Sequence, residues 1–167
     1  TGHRILGVPD RGVNRVDAHW AVREIIDDIV KFRPQVVLTF HHLGVSSHPD
    51  HIAVAQFLDS AFTASTGGPV AYFEWGIPED RAPLYLRPNL IPIPDAEIAA
   101  KVPVSDAAME RKLDAIRAHE TQYEFFLGLQ QKFDYREMAT PEHFGLRRSR
   151  VPRLGRIVAD LWEGLDA

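Results

Sequence analysis

Apolar residues along this chain fall into two rhythms. Short runs that are nearly continuous, Ile5-Leu6-Gly7-Val8, Val36-Val37-Leu38-Thr39-Phe40 and Val70-Ala71-Tyr72-Phe73-Glu74-Trp75, read as strands, the first running into the turn Pro9-Asp10-Arg11-Gly12. The second run is nearly continuous in apolar residues and rich in β-branched ones, which predicts a strand covered on both faces in a parallel sheet. Between the first two runs the spacing changes. Trp20, Val22, Ile25, Ile26, Ile29 and Val30 recur at helical intervals, with Asp17 as the cap and Arg33-Pro34 as the stop. A second helix is expected from Pro49, a residue suited to the first helical position, with His48 as N-cap and Ile52, Ala55, Leu58 and Phe62 as its buried stripe. Thr66-Gly67-Gly68-Pro69 ends it.

Farther on, Pro78, Pro83, Pro88, Pro92, Pro94 and Pro103 come too often for a helix and predict an irregular connection with brief extended pieces. Ser105 then caps what reads as the longest helix, with Met109, Leu113, Ile116, Tyr123 and Leu127 on one face. A polar stretch, Asp134 to Arg150, separates it from a final amphipathic helix with Leu154, Ile157, Val158, Leu161 and Trp162 inward. Strand, helix, strand in succession is a βαβ unit. The expected class is therefore α/β, a Rossmann-like, mostly parallel sheet flanked by helices.

Composition narrows the function more than the fold. The chain has 167 residues, enough for one buried core, so residues 1–167 are expected to form a single domain. A formal net charge of -4 gives no broad basic surface, which argues against nucleic acid and for a small neutral or polar ligand. Without any cysteine, only His, Asp and Glu remain as strong metal ligands. No run approaches the roughly 18 apolar residues of a membrane span, and cytoplasm is the default location. The exposed proline-rich loops and the last helix leave room for a homo-oligomer.

The densest chemistry is His41, His42, His48, Asp50 and His51, where a parallel strand gives way to a helix. Ligand sites in open α/β sheets lie at such strand ends, and the helix N-terminus favours developing negative charge. His48 and His51 are three apart and share a face of the first turn. One imidazole could ligate zinc while the other hydrogen-bonds a substrate oxygen, and Asp50 could fix a tautomer by accepting a ring N–H. A polar cap with solvated histidines fits the spacing equally well.

The wider string, Thr39-Phe40-His41-His42-Leu43-Gly44-Val45-Ser46-Ser47-His48-Pro49-Asp50-His51-Ile52-Ala53-Val54, resembles the second motif of the PIG-L/LmbE-like family of zinc-dependent de-N-acetylases. Gly7-Val8-Pro9-Asp10-Arg11-Gly12 is similar to the family's upstream strand-end turn, and Arg111-Lys112 through Ala118-His119-Glu120-Thr121-Gln122 to a later helix, so the resemblance covers most of residues 5–125. It implies that His51 is a Zn2+ ligand, that His48 stabilises an oxyanion or serves as an acid, and that Asp50 orients His48. It also implies that Asp10 binds sugar hydroxyls, although an Asp bonding within its own turn accounts for that residue as well. His119 reads as a packed, hydrogen-bonded helix residue. His41, His42 and Ser46-Ser47 depart from the family's small, acidic and glycine-rich positions.

The family's first motif, Ala-His-Pro-Asp-Asp-Glu, does not occur in these residues. One imidazole cannot hold a catalytic zinc, which takes three protein ligands and a water. The chain is thus expected to be a fragment of a longer domain, inactive by itself, whose parent removes an N-acetyl group from an amino-sugar conjugate such as an N-acetylglucosamine derivative. The alternative is a non-catalytic binding or assembly protein on the same fold.

Overall fold

The computed structural model describes residues 2–85, 88–130, 134–152 and 154–165; Thr1 lies outside them. The chain enters without regular structure and makes a 3-10 turn at Val13–Arg15. The strand expected at Ile5 to Val8 does not form. Ile5 is 82% exposed, and the segment joins no ladder of the described sheet. Arg4 ties the segment to Glu24 and Asp28 of helix α1, Ala18–Phe32.

Helix α1 begins as the capping pattern requires, with the Asp17 carboxylate accepting the Trp20 N–H at 2.8 Å. Strand β1 (Val36–Phe40), the single turn α2 (Gly44–Ser47), helix α3 (Pro49–Ala64) and strand β2 (Ala71–Gly76) follow. After the proline-rich excursion come β3 (Ile98–Val102), α4 (Asp106–Ala118), α5 (Glu120–Gln130), α6 (Tyr135–Ala139) and β4 (Glu142–Ser149). The expected long helix is broken at His119, an exposed C-cap residue with ψ of 67°, so α3 with 16 residues is longer than α4 with 13. His119 is therefore not a packed residue.

The sheet has four strands in the order β1-β2-β4-β3. The α/β class with flanking helices holds, but only β1 and β2 pair in parallel, while β2–β4 and β4–β3 are antiparallel. The physical reason is the return path. β1, α3 and β2 form the crossover unit that parallel pairing demands, whereas the later strands come back from the proline-rich connection in the opposite direction. β1 is an edge strand, and Leu38 on it is 50% exposed, so the expected cover on both faces is incomplete among the described residues.

Alternation along β2 sorts the core into two layers. Tyr72 packs against Leu58 and Phe62 of α3, with Ile25 of α1 alongside. On the other face Ala71 and Phe73 meet Ala100, Phe144, Val158 and Leu161. Val158 and Leu161 come from the segment expected to be the last helix, which is instead a series of turns. Its Val158 N–H bonds Ala99 O at 3.0 Å and its carbonyl accepts from Lys101 N at 2.9 Å. Those bonds to β3 replace the helical ones, and leave Leu154, Ile157 and Trp162 at 39%, 47% and 55% exposure. The strand β4, at Glu142 to Ser149, lies inside what reads as a polar stretch.

Phe144, 5% exposed, is the buried β4 residue in this second layer, with Leu146 packed against it. Phe144→Ala is expected to lower the unfolding free energy by about 3–5 kcal/mol, with Phe144→Leu costing clearly less, as measured by urea denaturation.

Candidate functional site

The carboxyl end of β1 turns into α3 through residues 41–48, and one glycine makes the turn possible. Gly44 has φ of +80°, and a Cβ there would lie 2.8 Å from Ile52 Cγ1, so both conformation and space require glycine. Its N–H donates to His41 O at 2.6 Å. Its carbonyl faces His51 Nδ1 at 3.0 Å. Because a carbonyl only accepts, the His51 ring carries its proton on Nδ1 and keeps the Nε2 lone pair free, the arrangement of a metal-ligating imidazole. Phe40 stacks on that ring at 3.8 Å between centroids and 7° between planes, which fixes its orientation.

Val45 and Ser47 also have positive φ, at 62° and 56°. For a β-branched residue this conformation costs on the order of 1–3 kcal/mol, and the excursion opposite holds it: Ile91 N–H bonds Val45 O at 2.6 Å and the Asn89 amide bonds Ser46 O at 3.1 Å. The proline-rich connection thus positions the site loop.

His48 is the N-cap of α3, its Nδ1 accepting the Asp50 N–H at 3.3 Å. In a neutral ring the proton therefore sits on Nε2, which faces Asp10 Oδ1 at 3.8 Å. The His48 and His51 rings lie 4.8 Å apart. Asp10, with its side chain 84% exposed, stands at the open side of this pair. Asp50 does not hold His48 with its carboxylate, as the sequence reading has it. That carboxylate, on a residue 7% exposed, accepts from Val13 N at 3.1 Å and Asn14 N at 3.4 Å. The reason is direction: from the first turn of α3 it points back to the N-terminal loop, and only the Asp50 backbone reaches His48. The structure thus brings Asp10, His48 and His51 together, with Asp50 as the anchor of the loop that carries Asp10.

A second group gathers around Glu74 of β2. His41 is 1% exposed, and burial followed by the neighbouring His42 pushes its imidazole below its ordinary pKa. Glu74, 3% exposed on β2, accepts from His42 N at 3.1 Å and lies 2.8 Å from His42 Nδ1. Its other oxygen accepts from Tyr72 Oη at 3.2 Å and has Arg147 Nε at 3.7 Å. Among the described residues, His41, His42 and Glu74 form the one group of three metal-capable donors, with ligand atoms within 4.8 Å of one another. Glu74 carries no motif, but a carboxylate inside the otherwise apolar run Val70 to Trp75 is the signal that marks it.

The loop lies within a stretch that matches a known family. The profile of the family described as PIG-L, GlcNAc-PI de-N-acetylase, matches residues 1–62. The 1D-myo-inositol 2-acetamido-2-deoxy-alpha-D-glucopyranoside deacetylase of Mycolicibacterium smegmatis is 32% identical over 140 residues, 71% of this chain and 48% of the relative. The proteins of the same name from Nakamurella multipartita and Acidothermus cellulolyticus are 31% identical over 130 residues and 28% over 210, covering 65% and 99% of this chain and 41% and 69% of theirs. The chain spans about half the length of the curated relatives it matches, 48% in the first case. It resembles the PIG-L/LmbE-like deacetylase family, with the family profile matching over residues 1–62.

Replacing Asp50 by Ala is expected to cost about 1.5–3 kcal/mol, the range for hydrogen bonds to a charged group, and to speed amide exchange at Val13 and Asn14. Asp50→Asn keeps an acceptor oxygen there and should preserve most of the protection, as read by hydrogen exchange with mass spectrometry.

Proposed function

We propose that the full-length protein is a zinc-dependent hydrolase that removes an N-acetyl group from an amino-sugar conjugate. The observation that carries this reading is the His51 ring, with Nδ1 held by the Gly44 carbonyl and Nε2 free beside His48 at the end of a parallel strand. The relatives, named as deacetylases of an acetamido-glucopyranosyl inositol, support an N-acetylglucosamine conjugate as the substrate. A zinc site takes three protein donors, and His51 is the donor that this chain prepares at the strand end.

Zinc bound there supplies Lewis acidity toward an acetamide carbonyl and toward water. The rest falls to the residues of this chain. His48, with its Nε2 proton directed outward by the Asp50 N–H on Nδ1, donates to the oxygen on which negative charge develops as water adds to the acetamide carbon. The N-terminus of α3 adds a partial positive potential at the same place. When the carbon–nitrogen bond breaks, the amine takes a proton and leaves as the free amino sugar, and the acetyl carbon departs as acetate. Asp10 either holds the imidazole of His48 in place or accepts a sugar hydroxyl, and its exposure suits a group that meets substrate. Asp50 acts on both by anchoring the Val13–Asn14 backbone.

In the full-length protein, His51→Ala is expected to abolish zinc-dependent deacetylation of N-acetylglucosaminyl inositol. His48→Ala is expected to lower kcat by about 10²–10³ while leaving the zinc content unchanged. Retained deacetylation in the His51 variant would sink the reading, and so would an unchanged kcat in the His48 variant for the role given to that residue.

A further inference from the structure

The deacetylase reading leaves one buried group without a task. His41 Nε2 is inaccessible to solvent and has no hydrogen-bond partner among the described residues. An orphaned polar atom at such depth is uncommon and costly. Its nearest carboxylate oxygen, Glu97 Oε2, is 3.5 Å away, too long and too poorly placed for a bond. Around the same recess stand His42, Glu74, Glu97 and Arg147. A hydrogen bond between His42 and Glu74 accounts for those two residues but gives His41 nothing to do.

We propose that His41, His42 and Glu74 form a second metal site, for a divalent transition ion of the zinc type, separate from His51, and that the ion braces the loop between β1 and α3. Two imidazoles and a carboxylate are a donor set that such ions accept. In a tetrahedral site with bonds of about 2.0 Å, neighbouring donors lie about 3.3 Å apart. Glu97 Oε2, 3.5 Å from His41 Nε2, lies outside the group of three, whose ligand atoms are within 4.8 Å of one another and draw together by up to about 1.5 Å around the ion, with water as the fourth donor. The 2.8 Å between His42 Nδ1 and Glu74 Oε2 is a hydrogen bond that opens by about half an ångström when the ion takes the place of the proton. That proton moves to His42 Nε2, on a side chain 30% exposed. Ligation by His41 Nε2 likewise puts the ring proton on Nδ1 and gives up the long 3.4 Å contact from Leu43 N.

The surroundings support Glu74 in this role. Tyr72 Oη at 3.2 Å and Arg147 Nε at 3.7 Å both address Oε1, which leaves Oε2 turned to the histidines. Burial, a neighbouring carboxylate and a bond to that carboxylate hold the Tyr72 phenol far above its ordinary pKa, so it remains a donor. The site reaches His51 through the backbone: the His41 carbonyl receives the Gly44 N–H, and the Gly44 carbonyl holds His51 Nδ1. An ion on His41 and His42 therefore stiffens the chain segment on which the His51 orientation depends.

The test uses the full-length protein carrying His51→Ala, so that zinc at His51 is removed from the count. Metal-stripped protein is titrated with zinc sulfate, and bound zinc is measured by plasma mass spectrometry after gel filtration. The expected result is one zinc per chain, with His42→Ala or Glu74→Gln added to that background weakening its binding by about 100-fold or more, since even the outer partners of a ligand contribute 10–100-fold. Zinc should also raise the thermal midpoint of the His51 variant and not of the variants lacking His42 or Glu74. No bound zinc in the folded His51 variant overturns the proposal, as does a bound zinc indifferent to both further substitutions. Equal zinc content in the parent and the His51 variant would instead count against the role of His51, and the two readings fail separately.

Discussion

The orientation of one carbonyl governs this site. Gly44 adopts a left-handed conformation under the side chain of Ile52, and only that geometry lets its oxygen meet His51 while its N–H closes back on the end of β1. The His51 tautomer, the stacking on Phe40 and the proximity to His48 all follow from that turn. Because the glycine supplies no side chain, its hold on His51 is entirely a backbone effect. A substituent there would meet Ile52 and force α3 away from the strand.

Charge burial is the second organising constraint. A carboxylate at the depth of Glu74 is costly unless its oxygens are bonded, and two elements from opposite sides of the sequence share the task. His42 comes from the loop after β1, and Arg147 from β4. Arg148, beside it, holds Asp59 of α3 through two bonds of 2.8 Å, and this fork, ahead of the cost of burial, keeps Asp59 below the usual carboxylate range. The central antiparallel strand is thereby fastened to the helix that carries the site histidines, and fold stability and site geometry share the same contacts.

Local signals were readable wherever a short stretch of chain settles its own structure. Asp17, Ser105 and His48 cap the helices expected of them, because a cap bonds an N–H two or three residues away. β1 and β2 were legible from apolar runs. β4 was not: Glu142, Arg147 and Arg148 make it look polar, yet these side chains reach ion partners on α4, α3 and β2, while His143, Phe144 and Gly145 are buried between neighbouring strands. The apolar spacing of Leu154 to Trp162 suggested a helix that tertiary hydrogen bonds to β3 displaced.

The sequence by itself pointed to the family and the α/β class, and it determined the start of α3 and the pairing of His48 with His51 at its N-terminus, since these last two rest on residues close together in the chain. Only the tertiary structure decided which strands are antiparallel, that Asp50 anchors the N-terminal loop and not His48, and that Glu74 joins His41 and His42 in one recess. Those outcomes depend on where distant segments meet, and the direction of a carboxylate across 36 or 37 residues of chain is set by packing rather than by spacing.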